Sequence, residues 1–344
     1  MKSGGSPRIL EAINAGFDVK KLKKLIHQVR ALHLNHTNFE YLKSILIPLL
    51  GGYFAPRMTI SADEFIFRAV LWADKPKNKA QLSYPPAPIV KFGRANIPHR
   101  PMFYGNSGLQ STILELEPSQ GDRFVISKWR VKKNLILTCV GYTKRAFKGK
   151  SGMNRLLEIP WVDHNDINHL SHKRGNQYCE EFLAHEFTKR VSNGKEWEYK
   201  ISAAISEMLM NAKSFGINGA PPIQIAGLIY PSEPNEGNSD NVAIKCDIAD
   251  QSLEFVSVQY ITVFSKTDQF VYKLVGLDYA NSLLENGDIE WENSFPDQII
   301  PGTELTRKYD GKYLELFDAK GISLEKKPYN QDTELIINFR TISN

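Results

Sequence analysis

Residues 102–118 read MFYGNSGLQSTILELEP. Met102, Phe103 and Tyr104 suit a strand, Gly105 to Gly108 are turn formers, and Leu109, Ile113 and Leu116 then recur at helical spacing until Pro118 closes the segment. A strand is thus delivered through a turn into a helix beginning near Ser107. On that helix Glu115 falls on the flank of the apolar face, beside Thr112, while Glu117 borders the same run with nothing to single it out. Read alone, Glu115 is either an ordinary solvated border carboxylate or a group held for chemistry.

Upstream, residues 7–54 read as helices: PRILEAINAG ends in Gly16, VKKLKKLIHQVRALHL places Val19, Leu22, Leu25, Ile26 and Val29 at helical spacing, and NFEYLKSILIPLL follows a polar turn. Lys20, Lys21, Lys23 and Lys24 on the second of these read as a solvated face. EFIFRAVLW is strand-like, and a Lys-, Asn- and Pro-rich loop leads from it to LSYPPAPIV. FVISKWRV, NLILTCVGY, AGLIYPS and NVAIKCD read as further strands, and QYCEEFLAHEFTKRV and EYKISAAISEMLMNA as helices, with the polar loop EPNEGNSD between the last two strands. From LEFVSVQYITVF to TELIINFRTIS the chain alternates strand-like runs with turns at NGD and YDGKY. This order lacks regular βαβ alternation, so the expected class is α+β. Three regions are expected: a helical one over 1–57, a central domain over 58–262 and a β-rich extension over 263–344.

The chain has 344 residues, 42% of them hydrophobic and 24% charged, and a net charge of +5. That composition is globular. The charge suits an anionic small molecule or acidic partner and is too small for a dedicated nucleic-acid binder. No run approaches the ~20 apolar residues of a membrane span, and MKSGGSPRIL has no continuous apolar core of a secretory signal, so the expected location is cytoplasmic with no membrane partner. Cys139, Cys179 and Cys246 fit neither a disulfide framework nor a zinc spacing and are expected to be reduced and buried. His164, His169, His172 and His185 crowd one region without the paired helical spacing of a zinc site, and Lys189 stands where the second ligand of an HExxH motif would be, so no metal site is expected. GxGxxG and GxxxxGK[ST] loops are absent, and the glycine spacing around Ser232 is wrong for a nucleophile elbow.

Two arginines stand out. Arg68 lies inside the apolar run EFIFRAVLW, where a guanidinium needs an anionic or carbonyl partner. Arg94 follows Gly93 in the loop Gly93-Arg94-Ala95-Asn96, where a planar fork of donors suits phosphate or carboxylate and glycine permits close approach. Tyr104, at the end of the strand before the Glu115 helix, is placed to stack or to pack.

In order, FIFRAV, GRAN, MFYGNSGLQSTILELEP, GLIYPS and NVAI resemble the RES domain family, and come closest to its longer members with an LSYPP segment before GRAN. The resemblance covers roughly residues 64–246. It implies an ADP-ribosyltransferase-like fold with a split mixed sheet and flanking helices, and toxins that consume NAD by hydrolysis or phosphorolysis, some members modifying a protein. NAD+ is then substrate rather than cofactor, phosphate is the co-substrate in the phosphorolytic case, and an antitoxin or immunity protein is the expected partner. Mapped onto this chain, the family's residues fall on Arg68, Arg94, Tyr104, Glu115 and Ser232, with Asn241 after the serine. Ala95 stands where shorter members have Trp, leaving Tyr84 or Phe92 to form an aromatic wall.

Cleavage of the nicotinamide–ribose bond passes through an oxocarbenium-like transition state, which a nearby carboxylate stabilises. Nicotinamide leaves neutral, so one carboxylate, Glu115, suffices. On this reading Arg68 and Arg94 hold the pyrophosphate, Tyr104 stacks on nicotinamide or orders the ribose, and Ser232 hydrogen-bonds the nicotinamide side. The rival readings are ADP-ribosyl transfer to a protein or nucleic acid, and a non-enzymatic interaction protein with a degenerate pocket.

Overall fold

The computed structural model describes residues 18–51, 53, 55–143, 170–211, 224–232, 234, 239–266 and 272–292, together with the backbone of three later strands. The helix expected at 7–16, His164, His169, the loop at 235–238, the turn at 310–312 and the strand at 333–343 lie outside the described residues. The fold is mixed α and β, with helices flanking a mixed sheet, as an α+β reading requires. It divides into two compact units of interleaved segments: 1–61, 85–104 and 134–251, and 62–84, 105–133 and 252–344.

The first unit begins with α1 (Val19–Arg30) and α2 (Phe39–Leu50). Asp18 caps α1 by accepting from the Lys20 and Lys21 amides, and Asn38 caps α2 by accepting from those of Glu40 and Tyr41. Leu22, Ile26 and Val29 of α1 and Leu42, Leu46 and Leu49 of α2 are buried on one stripe of each helix. Their partners are Phe182, Leu183 and Phe187 of α4 (Leu170–Thr188), Ile201, Ala204 and Ile205 of α5 (Lys200–Asn211), and Leu228 and Tyr230 of a strand. The N-terminal helices therefore share this unit's core. The lysines at 20, 21, 23 and 24 are exposed, with Lys23 over the Tyr178 ring. α4 starts at Leu170, so the stretch LSHKRGN, upstream of the expected QYCEEFLAHEFTKRV, forms its first two turns.

Four strands of this unit run in the order β1 (Arg57–Ile60), β5 (Leu135–Cys139), β6 (Gly227–Pro231), β7 (Asp240–Lys245), with β5 and β6 parallel and the other pairs antiparallel. A short helix, α6 (Cys246–Ser252), follows β7.

In the second unit β2 (Phe65–Leu71), β4 (Arg123–Val131), β8 (Leu253–Lys266) and β9 (Tyr272–Ala280) form an antiparallel ladder in that order, and Asn106, in β3 (Met102–Asn106), pairs with Phe67 on the free side of β2. The helix α3 (Leu109–Leu116) seats Ile113 and Leu114 against Phe124, Ile126, Ile261 and Val263. β8 runs unbroken through residues 262 and 263, where the boundary of a C-terminal extension was expected. The Lys- and Pro-rich loop after β2 is anchored by the Lys75–Asp278 ion pair at 2.8 Å, with Asp278 fully buried, and by Trp291 donating to the Pro76 carbonyl. β10 (Thr306–Tyr309), β11 (Tyr313–Phe317) and β12 (Ser323–Pro328) form a separate antiparallel sheet. No helix among the described residues is long and apolar enough to cross a membrane.

One buried acid lies inside the first unit. Glu180 of α4 accepts from the Tyr53 hydroxyl at 2.5 Å, while its second oxygen has no hydrogen-bond partner among the described residues. Burial pushes its carboxyl up to about 7, against the lowering effect of Tyr53 and the Gly141 amide. The folded chain then holds a proton that the unfolded chain releases near the ordinary value of 4.5. The associated stability is complete below that value and lost as pH rises through about 7. Glu180→Gln is expected to remove this loss: melting temperatures from pH 5 to 8 should fall less steeply in the variant than in the parent.

Candidate functional site

In the first unit Arg94, Tyr104, Ser232 and Asn241 gather around one loop and one strand. The Gly93–Asn96 turn is closed by reciprocal backbone bonds at 3.0 and 3.4 Å. The Tyr104 hydroxyl accepts from the Ala95 amide and donates to Asn96 Oδ1, both at 2.8 Å. Asn96 Nδ2 donates to the Lys91 and Ile97 carbonyls. A Cβ at Gly93 would stand 2.2 Å from Asn96 Oδ1 and 3.0 Å from the Tyr104 hydroxyl, so only glycine leaves room for this lock. Tyr104 thus holds the GRAN loop through its hydroxyl. This role was hidden in the sequence because Asn96 reads as one more loop asparagine.

Arg94 is half-buried. Its guanidinium donates to the Phe187 carbonyl in the last turn of α4 and lies 5.5 and 5.8 Å from the ring centres of Tyr199 and Tyr230. A cation at orphan helix carbonyls, flanked by two ring faces, is favourably placed. The Ser206 hydroxyl of α5 donates to the Ser202 carbonyl at 2.7 Å and lies 3.4 Å from the Arg94 carbonyl. Tyr230 pairs with Asn241 across β6 and β7, and Ser232 follows two residues later, fully buried, its amide bonded to the Ser239 carbonyl. Tyr199 and Tyr230 are the residues that sequence reasoning missed; the position of Tyr230 in GLIYPS was the available signal. Phe92 packs against Phe39 of α2, with ring centres 5.9 Å apart.

In the second unit Arg68 meets its requirement for a carbonyl: Nε donates to Ser83 O at 2.8 Å, fixing the corner that carries Tyr84. Opposite it in β4 stands Ser127, whose hydroxyl donates to the Arg68 carbonyl and accepts from the Trp129 indole. Strand alternation sends Arg68 to the face opposite Phe67 and Ala69, and these two pack on the cluster that seats α3. Arg68 and Tyr84 are therefore brought together, whereas Arg68 and Glu115 do not share the face covered by α3.

Glu115 is half-buried and Glu117 exposed, as their helical positions imply. Around α3, Glu115 falls near Ser111 and Thr112, both buried, and away from Leu109, Ile113 and Leu116. The helix therefore has a second, polar side that is also covered, and its carboxylate lies there. Glu117 ends the helix in the left-handed region at φ 48°.

Among the remaining candidates, His185 and Lys189 flank buried Glu186 at 3.1 and 2.6 Å. Burial would raise this carboxyl, but the hydrogen bond to His185 and the Lys189 ammonium hold it below its ordinary value. The lysine that spoils the HExxH pattern is thus the ion-pair partner of the glutamate. No group of three or more His, Cys, Asp or Glu side chains suited to a metal occurs among the described residues. Cys139 and Cys179 are buried and their thiols pushed up to about 12; Cys246 is only half-buried, its thiol pushed up to about 11.

No protein-family model matches the chain, and no curated protein or solved structure shows significant similarity to it.

Removing the Tyr104 hydroxyl should be costly, because it leaves the Ala95 amide and Asn96 Oδ1 without their partner. Tyr104→Phe is expected to destabilise the protein by roughly 1–3 kcal/mol in urea unfolding, and Gly93→Ala to do so through steric conflict at Asn96. An unfolding midpoint left unchanged by Tyr104→Phe would show that the lock contributes nothing.

Proposed function

We propose that this chain cleaves the nicotinamide–ribose bond of NAD+, by hydrolysis or phosphorolysis, in an ADP-ribosyltransferase-like fold, and that it acts as a growth-arresting cytoplasmic toxin countered by an antitoxin. The observation that supports this most is the position of Glu115: a half-buried carboxylate on the polar, covered side of α3, while the apolar side of the helix closes the core. A carboxylate so held is partly desolvated, which strengthens its attraction for a ribosyl cation formed beside it. Arg94, fixed by Phe187 and two tyrosine rings, supplies a cation in a set direction for an anionic group, with Asn241 and Ser232 nearby as polar contacts. Arg68, on β2, positions Tyr84 through its bond to the Ser83 carbonyl.

A specific observation favours a second reading, that of an interaction protein with a degenerate pocket. Arg68 and Arg94 each donate to a main-chain carbonyl, and the Tyr104 hydroxyl is engaged in the loop lock. Those are roles a purely structural residue fills.

The two readings part in one assay. Purified protein incubated with NAD+, with and without phosphate, is expected to release nicotinamide, and Glu115→Gln to lower the rate about 100- to 1,000-fold while unfolding at the same urea concentration. Absence of nicotinamide release by the folded parent in both buffers would select the interaction protein, and label retained on a macromolecule from labelled NAD+ would select transfer.

A further inference from the structure

A cavity of about 230 Å³ opens in the first unit behind the GRAN loop, between α5 and the β7–α6 junction. Its apolar wall is built by Ala95, Ile97, Pro101, Met102, Ala203 and Met210. Apolar cavities of roughly 150 Å³ accept benzene, so this one holds a single ring with a substituent.

Its charges are arranged asymmetrically. Lys245, at the end of β7, is half-buried in the wall, and its ammonium donates to the Met210 carbonyl at 3.0 Å. That neutral acceptor does not replace lost hydration: burial holds the ammonium below the ordinary lysine range, and the opposing pull of Asp247 is smaller. Arg100 stands at the rim with its side chain 70% exposed. The acid in the wall, Glu207, is already engaged, with Oε1 2.8 Å from Arg100 Nη1 and Oε2 3.0 Å from Lys43 Nζ, the latter a charge pair rather than an aligned hydrogen bond. The Cys246 thiol donates to the Pro101 carbonyl at 3.1 Å, and its raised titration keeps a thiolate out of the cavity. Two cations, Arg100 and Lys245, and one acid, Glu207, thus line the apolar floor, with Asp247 acting on Lys245 from outside the lining, and the hydrogen bond of Lys245 goes to a neutral carbonyl.

We propose that this cavity is a binding site for a small monocarboxylate with an apolar body, of the size of benzoate, whose ring lies on the Met102 and Met210 wall and whose carboxylate pairs with Lys245 and Arg100. The site is independent of NAD+ cleavage, since it uses neither Glu115 nor Arg94.

The probe is sodium benzoate, with benzamide as its neutral isostere, each titrated to about 10 mM, a range suited to a ligand of some nine non-hydrogen atoms. Binding is read by calorimetry and by the methyl resonances of protein labelled at methionine. Benzoate is expected to bind at least tenfold more tightly than benzamide and to shift the Met102 and Met210 methyls first. Lys245→Met should weaken benzoate about tenfold or more and leave benzamide unchanged, and Lys245→Arg should restore most of the affinity. Should Lys245→Met fail to fold, Arg100→Gln on the exposed rim decides, with a severalfold loss expected for benzoate alone. Equal affinity for the two probes, no binding of benzoate, shifts confined to other methionines, or benzoate affinity unaffected by Arg100→Gln and Lys245→Met would each overturn the proposal.

Discussion

The hydroxyl of Tyr104, held between the Ala95 amide and the Asn96 carboxamide, is the constraint on which the candidate site of the first unit depends. It fixes a four-residue turn that lies outside every helix and named strand. The direction of Arg94 follows from it, as does the shared wall that Ala95 and Asn96 give to the cavity behind the loop. Because both partners of the hydroxyl lie within nine residues of it, the lock is local. What anchors it to the rest of the unit is tertiary: α4 ends where the Arg94 guanidinium arrives.

A common pattern runs through the buried cations. Arg94 meets Phe187 at the end of α4, Lys245 meets Met210 at the end of α5, and Lys200 meets the Leu34 and Thr37 carbonyls in the turn after α1. The last carbonyls of a helix have no partner within it and carry partial negative charge, so Arg94 and Lys245 each supply a donor to such an end, although for Lys245 the lost hydration of the ammonium stays uncompensated. Part of the chain's positive balance is thereby internal capping. A net charge of +5 read as a surface property overstates what is offered to an anionic partner. Arg68 follows the same logic at Ser83, outside any α-helix end.

The two buried glutamates of α4 show how environment sets charge state. Glu186 has Lys189 and His185 within reach and stays ionised, whereas Glu180, six residues earlier, has a tyrosine hydroxyl, a backbone amide and no cation among the causes of its shift, and tends to keep its proton. Gly141, which supplies that amide, has φ at 77° and would bring a Cβ within 3.0 Å of the Ala184 backbone. The pairing of acid and glycine is therefore a packing arrangement of this unit, unrelated to Glu115.

Periodicity identified most of the elements, though not the start of α4 or the short helix α6. Leu22, Ile26 and Val29 mark α1 at a spacing that only a helix turns to one side, and FIFRAVL, FVISKWRV and LEFVSVQYITVF become β2, β4 and β8. The border position of Glu115, and the need of Arg68 for a carbonyl, were equally legible, because both follow from one residue and its immediate neighbours. The tertiary structure decided which strands pair, that the N-terminal helices share the core of the segment 134–251, that Arg68 faces away from α3, and that Tyr230 lies beneath Arg94. The physical reason is that side-chain period is written along the chain at every residue. Pairing order and facing depend instead on contacts between residues distant in sequence, such as Arg68 with Ser127 and Arg94 with Tyr230, each one selected by burial and hydrogen bonding rather than by local pattern.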